Sequence, residues 1–212
     1  MSGENDKNKG FIDQPSGISL GVDVGNSDAG MPYESVDGGV SLDLLVSQAK
    51  TYFQMGMQGN LGVTKTNSDI EAPHTRTLTH GLDLDGKIGY ALHKNVSVFG
   101  GAEIGSISYG NNGDDKVTSF ACAATDATIF GGVGFMTDNR KTQVEASGGR
   151  TVFKGFGVDA SKGAYTYGKV GVRQVVAEKD GATVAVKASI ETPIGKYHPV
   201  KPSFNVGAVV SF

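Results

Sequence analysis

Between Gly17 and Phe212, apolar residues recur at every second position, and no 3.6-residue period of useful length appears. Successive side chains of an extended chain point to opposite faces, so each such segment is predicted as a strand with one apolar and one polar face. Ile18, Leu20, Val22 and Val24 make the first segment, and Val40, Leu42, Leu44 and Val46 the second. The pattern continues through Phe53 to Val63, Leu78 to Leu92 and Val96 to Ile104. It is less clean through Ala127 to Phe135, Val144 to Val152 and Val170 to Val172. Val184 to Ile190 and Phe204 to Phe212 complete ten strands, with eight and twelve as the neighbouring even counts. The predicted fold class is all-β, an antiparallel up-and-down barrel over residues 17–212 behind a polar N-terminal extension at 1–16.

The connections alternate in length. Short ones fall at 47–51, 93–95, 137–140 and 177–181, and long ones at 26–38, 64–77, 110–119, 154–163 and 192–202. In a meander this gathers the long loops at one end and puts both chain ends at the other. Short periplasmic turns opposite longer external loops are the layout of a transmembrane β-barrel. A soluble barrel also alternates, but its water-facing positions are rich in Lys, Glu, Thr and Arg. Here the polar face is mostly Gly, Ser, Asn, Gln and Thr. Its sparse charges are Asp23, Asp43, Asp83, Asp85, Lys87, Glu103, Asp126, Glu145, Lys169, Arg173, Lys187 and Glu191, which are predicted to face a narrow lumen.

The apolar face carries almost no charge, as lipid would enforce: Lys or Arg at the bilayer midplane costs about 2–4 kcal/mol. Arg150 is the exception, near the external end of its strand, where it can snorkel to headgroups. Phe53, Tyr90, Phe135 and Phe212 fall near the short-turn ends and predict an aromatic girdle at the inner interface.

Composition narrows the alternatives. The chain has 32 Gly without a G-X-Y period, and its single cysteine, Cys122, excludes an internal disulfide and a Cys-rich zinc module. A net charge of −3 leaves no footprint for nucleic acid. No run approaches 18 apolar residues, so no membrane-spanning helix is predicted. Residues 1–10 are polar and lack the apolar core of a signal peptide, so the chain is read either as cytosolic or as a mature form whose leader has been removed, and the rest of the sequence decides between them.

Phe204, Val206, Ala208, Val210 and Phe212 form a terminal aromatic with apolar residues at every second position before it. This resembles the C-terminal signal of Gram-negative outer-membrane proteins, which the barrel-assembly machinery reads. Gly86 to Gly105 likewise resembles the strand–turn–strand unit of small OmpA-like and porin-like barrels. The resemblance implies a bacterial outer-membrane location, with outer-membrane lipids, lipopolysaccharide and the assembly machinery as partners. Ten strands depart from the eight of OmpA-like membrane domains.

No catalytic, cofactor-binding or metal-binding residues are predicted, and the chain is read as non-enzymatic. Omptins, ten-stranded outer-membrane proteases, resemble it in a pair of rim carboxylates, here Asp83 and Asp85. They also need a facing Asp–His couple, and no Asp-x-His occurs. His74, His93 and His198 lack a nucleophile context, and Asn111 to Lys116 lacks calcium-loop spacing. The expected role is a surface scaffold, adhesin-like, that binds an external or host partner through its long loops. The alternative is a small diffusion pore, cation-preferring because eight acids face four bases in the lumen. Tyr52, Phe99, Phe130 and Tyr167 point inward and argue for a plugged lumen. An autotransporter translocator is a minor reading, since the segment before Ile18 is short, polar and contains Pro15.

Overall fold

The computed structural model describes residues 10–12, 14–27, 33–66, 76–110, 120–154, 166–194 and 202–212. Alternation becomes ten strands: β1 (Gly17–Ser27), β2 (Tyr33–Gln48), β3 (Thr51–Thr66), β4 (Arg76–His93), β5 (Val96–Gly110), β6 (Phe120–Met136), β7 (Thr142–Lys154), β8 (Thr166–Lys179), β9 (Ala182–Pro193) and β10 (Ser203–Ser211). Each is antiparallel to the next, and β1 pairs with β10, so the sheet closes without an edge. Phe212 and Ile18 seal that seam with reciprocal backbone hydrogen bonds of 2.9 and 3.3 Å.

The register sets the tilt. A path from Asn26 to Phe204, Ile190, Val170, Ala146, Val133, Val98, Tyr90, Thr51 and Gln48 steps from partner to partner around the wall. Extending the β1–β2 register returns it to the level of Gln14, about twelve residues below its start. With ten strands, that stagger tilts them by about 40°. A strand then climbs roughly 2.5 Å per residue, so an apolar band about 25 Å tall takes about ten residues.

β2, β3 and β4 have 16, 16 and 18 residues and overshoot such a band. The overshoot lies at the long-connection end. There the outward positions turn polar, at Asn26, His80, Arg150, Thr166 and Thr192. This is where the sequence-based boundaries fall short. β1 runs on to Ser27, β2 begins at Tyr33 and β4 at Arg76, because ladder pairing continues past Asn26, Gly38 and His80, which interrupt the outward apolar series; the long connection expected at 26–38 shrinks to 28–32.

Almost all the large apolar side chains lie outside. Val22, Val40, Leu61, Ile88 and Phe135 are each at least half exposed, as a lipid-facing wall requires. Inside, four aromatic rings lie over glycines directly opposite them in the ladder: Tyr52 over Gly89, Phe99 over Gly132, Phe130 over Gly101 and Tyr167 over Gly149. A β-carbon on Gly132 would sit 2.7 Å from Phe99 Cζ and 2.8 Å from Ser147 Cβ. Gly59, on the outer face, has nothing within 4 Å of the same position. Gly132→Ala is therefore expected to cost about 1–3 kcal/mol by overpacking. Gly59→Ala is expected to be neutral or to stabilise by up to about 1 kcal/mol. Urea unfolding of the two variants in lipid vesicles measures the difference.

Candidate functional site

The lumen is the site that the fold builds, and it divides into a packed side and an open side. On the packed side, Phe11, Tyr52, Ala91, Phe99 and Met136 form a buried cluster, with Ile12, Leu45 and Phe130 against it. The Phe11 and Tyr52 rings stack with centroids 6.0 Å apart, and Phe99 meets Phe130 edge-on at 6.5 Å. Rings on facing strands thus fill space that backbone alone would leave empty.

Lys87 stands where this cluster meets the polar lumen. Its ammonium donates to both Glu145 oxygens, at 2.9 and 3.1 Å, which ties β4 to β7 across the barrel. It also lies 4.8 Å from the Phe99 ring centroid and 5.9 Å from that of Tyr52. Gln143 holds the same carboxylate through Nε2 at 2.8 Å. A charge leaving water needs this density of partners.

The open side holds the other ion pairs. Lys187 reaches over β10 to Asp23 at 3.4 Å, and Lys169 meets Glu191 at 4.0 Å. Gly207 makes room for the first: a β-carbon there would stand 2.8 Å from Asp23 Cβ and 3.0 Å from Lys187 Cε. Gln58 donates to Asp23 at 3.2 Å and to Asn60 at 2.8 Å, and Asn60 donates to Asp83 at 2.7 Å. Arg173 donates to Ser211 at 3.2 Å. Asp43 and Asp85 close over Gly56 from either side, each within contact of where its β-carbon would be. Glu103 is Asp85's ladder partner on β5. A cavity of about 1120 Å³ runs among these groups.

Eleven of the twelve charges predicted to face the lumen have described side chains, and all eleven lie on the inner face. The side chain of Asp126 lies outside the described residues, although its backbone pairs with Gly105 and Lys154. Asp37 lines the cavity as well. Sequence reasoning left it in a long connection, and only continuation of the inward parity of β2 would have found it. Phe53, Tyr90, Phe135 and Phe212 all sit exposed on the outer wall towards the short turns. In the C-terminal strand, Phe204, Val206 and Phe212 are exposed outward, and Ala208 and Val210 share their face. Among the described residues no group of three His, Cys, Asp or Glu could hold a metal. The described histidines, His80 and His93, both belong to β4, the strand that carries Asp83 and Asp85. The long loops, His74, His198 and Asn111 to Lys116 lie outside the described residues.

The alternation gave no sign of Phe11. Residues 1–16 read as a polar extension, yet Phe11 is 1% exposed, inside the short-turn mouth. Its amide donates to Lys94 O at 2.7 Å, and Arg140 donates to Gly10 O at 2.9 Å and to Ile12 O at 3.0 Å. Gly10 has φ +47°, and a β-carbon there would overlap Lys94 O, so only glycine fits. Arg140, with φ 57°, takes the same left-handed region despite its side chain.

The two turns that receive the segment are knotted together. Asn95 donates to Met136 O at 2.7 Å and to Asp138 at 2.6 Å, and Lys94 pairs with Asp138 at 3.0 Å. The Asn95 and Lys94 hydrogen bonds hold the Asp138 carboxyl below its ordinary range. The knot's contribution is then complete above the ordinary carboxylate range and is lost as pH falls through the lowered value. A carboxyl-carbon NMR titration of Asp138 is expected to show that lowered midpoint.

Comparison with solved structures places this architecture. The translocator domain of the autotransporter NalP from Neisseria meningitidis superposes with a TM-score of 0.53, at 10% identity over 92% of this chain and 86% of that one. The fold is that of an outer-membrane β-barrel. The β-domain of the Bordetella autotransporter BrkA gives 0.49 at 18% identity, covering 94% of this chain and 100% of that one. Ail, the attachment invasion locus protein of Yersinia pestis, gives 0.41 at 13%, covering 93% and 97%. No protein-family model matches the barrel's sequence, and no curated protein matches it.

Proposed function

We propose that the chain is an integral, non-enzymatic β-barrel of a bacterial outer membrane that acts as a surface scaffold, presenting its long connections to an external partner. The observation that carries this is the asymmetry of the two ends. Four connections of two to five residues close one rim, whereas the other has four of nine to eleven residues beside one of five, and strands of up to 18 residues overshoot the apolar band there. A wall that rises past the membrane costs ordered backbone, and it is useful for holding loops clear of the headgroups. Outer-membrane lipids and lipopolysaccharide would surround the apolar band, and Phe53, Tyr90, Phe135 and Phe212 would anchor it at the inner interface. Phe204, Val206, Ala208, Val210 and Phe212 would serve as the assembly signal.

The test is display on a Gram-negative host. An epitope inserted within 155–165 is expected to be reached by antibody on intact cells, and one inserted at Gly181 only after permeabilisation. Replacing 67–75 and 155–165 with Gly-Ser linkers should abolish adherence to immobilised host cells while the barrel still inserts. Adherence that survives both replacements would contradict the scaffold reading.

The cavity favours a second reading. Among the described residues carboxylates outnumber cations along the inner wall: Asp23, Asp37, Asp43, Asp83, Asp85, Glu103, Glu145 and Glu191 stand against Lys87, Lys169, Arg173 and Lys187. A path through it would prefer cations.

A further inference from the structure

We propose that the lumen carries small cations along one side only, in a conduit that rises from the short-turn rim against β8–β10 and β1–β3, and that Lys187 limits its preference for them; this rests on the reading of the lumen as a cation path. The cavity lining traces the route. It reaches the short-turn rim at Asn139 and Gly181. On β1 it takes in Gly17 and Gly25, and on β10 Ser211 and Ser203. The members of each pair lie eight residues apart, which at roughly 2.5 Å of climb per residue is about 20 Å of a band about 25 Å tall. Among the described residues, β5 and β6 give the cavity Glu103 and Met136 alone, because the Phe99 and Phe130 rings fill that side. One cavity thus runs most of the height of the band beside the ring cluster.

The ion pairs along that route do not all present the same sign. Gly207, in the middle of the β10 run from Ser203 to Ser211, is the ladder partner of Lys187 on one side and of Asp23 on the other. Lys187 crosses it to reach Asp23 at 3.4 Å and Ser41 Oγ at 3.5 Å. The Asp23 side chain is 4% exposed and that of Lys187 30%, so at mid-height the pair shows its ammonium to the cavity. The Lys87–Glu145 pair does the reverse, with the carboxylate the more exposed partner. Lys169 and Arg173 stand towards the two ends of the route, where bulk solution screens them: Glu191, which Lys169 meets, is the ladder partner of Ser203, and Arg173 donates to Ser211. Lys187 is therefore the positive station that a cation meets deepest in an acid-rich conduit, and low-dielectric walls concentrate the field of a charge placed there. Taking that charge away leaves Asp23 and Asp43 to draw cations in.

The test is single-channel recording in planar bilayers, on variants that first show the heat-dependent gel shift of the unsubstituted protein. In a potassium chloride gradient, Lys187→Met should raise the cation-to-anion permeability ratio on the order of threefold, and Lys187→Arg should keep the unsubstituted value. Lys187→Gln takes the place of Lys187→Met if that variant fails to shift. For the route, the single cysteine is removed by Cys122→Ala and new ones are introduced one at a time. Ser19 and Ser189 line the cavity, whereas Thr128 and Thr151 are buried on the inner wall of β6 and β7 outside it. A cationic thiosulfonate reagent should cut the conductance of Ser19→Cys and Ser189→Cys by about half or more and leave that of Thr128→Cys and Thr151→Cys unchanged. Conductance that the reagent does not alter in Ser19→Cys and Ser189→Cys would overturn the route and leave the cation path standing. Equal permeability ratios for Lys187→Met and Lys187→Arg would overturn the role of Lys187. Silent bilayers for correctly shifting protein would remove the cation path, and the conduit with it.

Discussion

Glu145→Ala is expected to destabilise the barrel by about 3 kcal/mol, because it strands the Lys87 ammonium with its counter-charge gone. The Lys87 side chain is 9% exposed, so water cannot replace what the carboxylate supplies. The value falls at the lower end of the range for broken buried pairs because Glu145 is itself 27% exposed and already shares its hydration. Exchanging both partners for apolar residues of similar volume, Lys87→Met with Glu145→Leu, should recover most of the loss, since no buried charge remains. Urea midpoints for Lys87→Met, Glu145→Leu and the double variant, in vesicles of one lipid composition, give the coupling directly. If the double variant is as unstable as Glu145→Ala alone, the strut is not what holds β4 to β7.

The second large effect belongs to the outer wall. Leu84 precedes Asp85 in sequence and points the opposite way, into the apolar band, where it is 46% exposed. Leu84→Arg should cost about 2–4 kcal/mol, because a guanidinium near mid-band lies too far from either interface to reach water at no cost. The same change at Asn26, on the outer face at the long-connection rim, should cost at most about 1 kcal/mol. Two neighbouring residues thus set opposite demands on charge, and the difference comes from the wall that separates lipid from lumen. If Leu84→Arg and Asn26→Arg were equally tolerated, the wall would not be facing hydrocarbon.

The wall was legible in the sequence because lipid penalises every error in the alternation, so the pattern persists through all ten strands. The inward parity of Asp23, Lys87, Glu145 and Lys187 followed from it. What those side chains do to one another did not. Lys87 and Glu145 are 58 residues apart and meet across three strand pairings, so their contact depends on the accumulated stagger. The same holds for Lys187 reaching over Gly207 to Asp23. The glycines opposite Tyr52, Phe99, Phe130 and Tyr167 looked like filler on a polar face, and only the register shows them as seats for rings.

Phe11 was missed for a different reason. One apolar pair, Phe11 and Ile12, in a polar stretch has no period, and its burial comes from contacts with the β4–β5 and β6–β7 turns that no strand pattern encodes. Asp37 is hidden in the sequence because Gly38 interrupts the outward apolar series between Val36 and Val40, so the alternation reads as a strand that starts at Val40.

The outward face of this barrel lies in hydrocarbon while the inward face encloses a lumen, and two single-tryptophan variants test this most directly. They are Leu84→Trp on the outer wall and Phe99→Trp on the inner one, each reconstituted in bilayers of lipid brominated along its acyl chains. Leu84 is 46% exposed outside, and Phe99 is 8% exposed within. The fold predicts strong quenching of the indole in Leu84→Trp and little in Phe99→Trp. Equal quenching in the two variants, or none in Leu84→Trp, would contradict it.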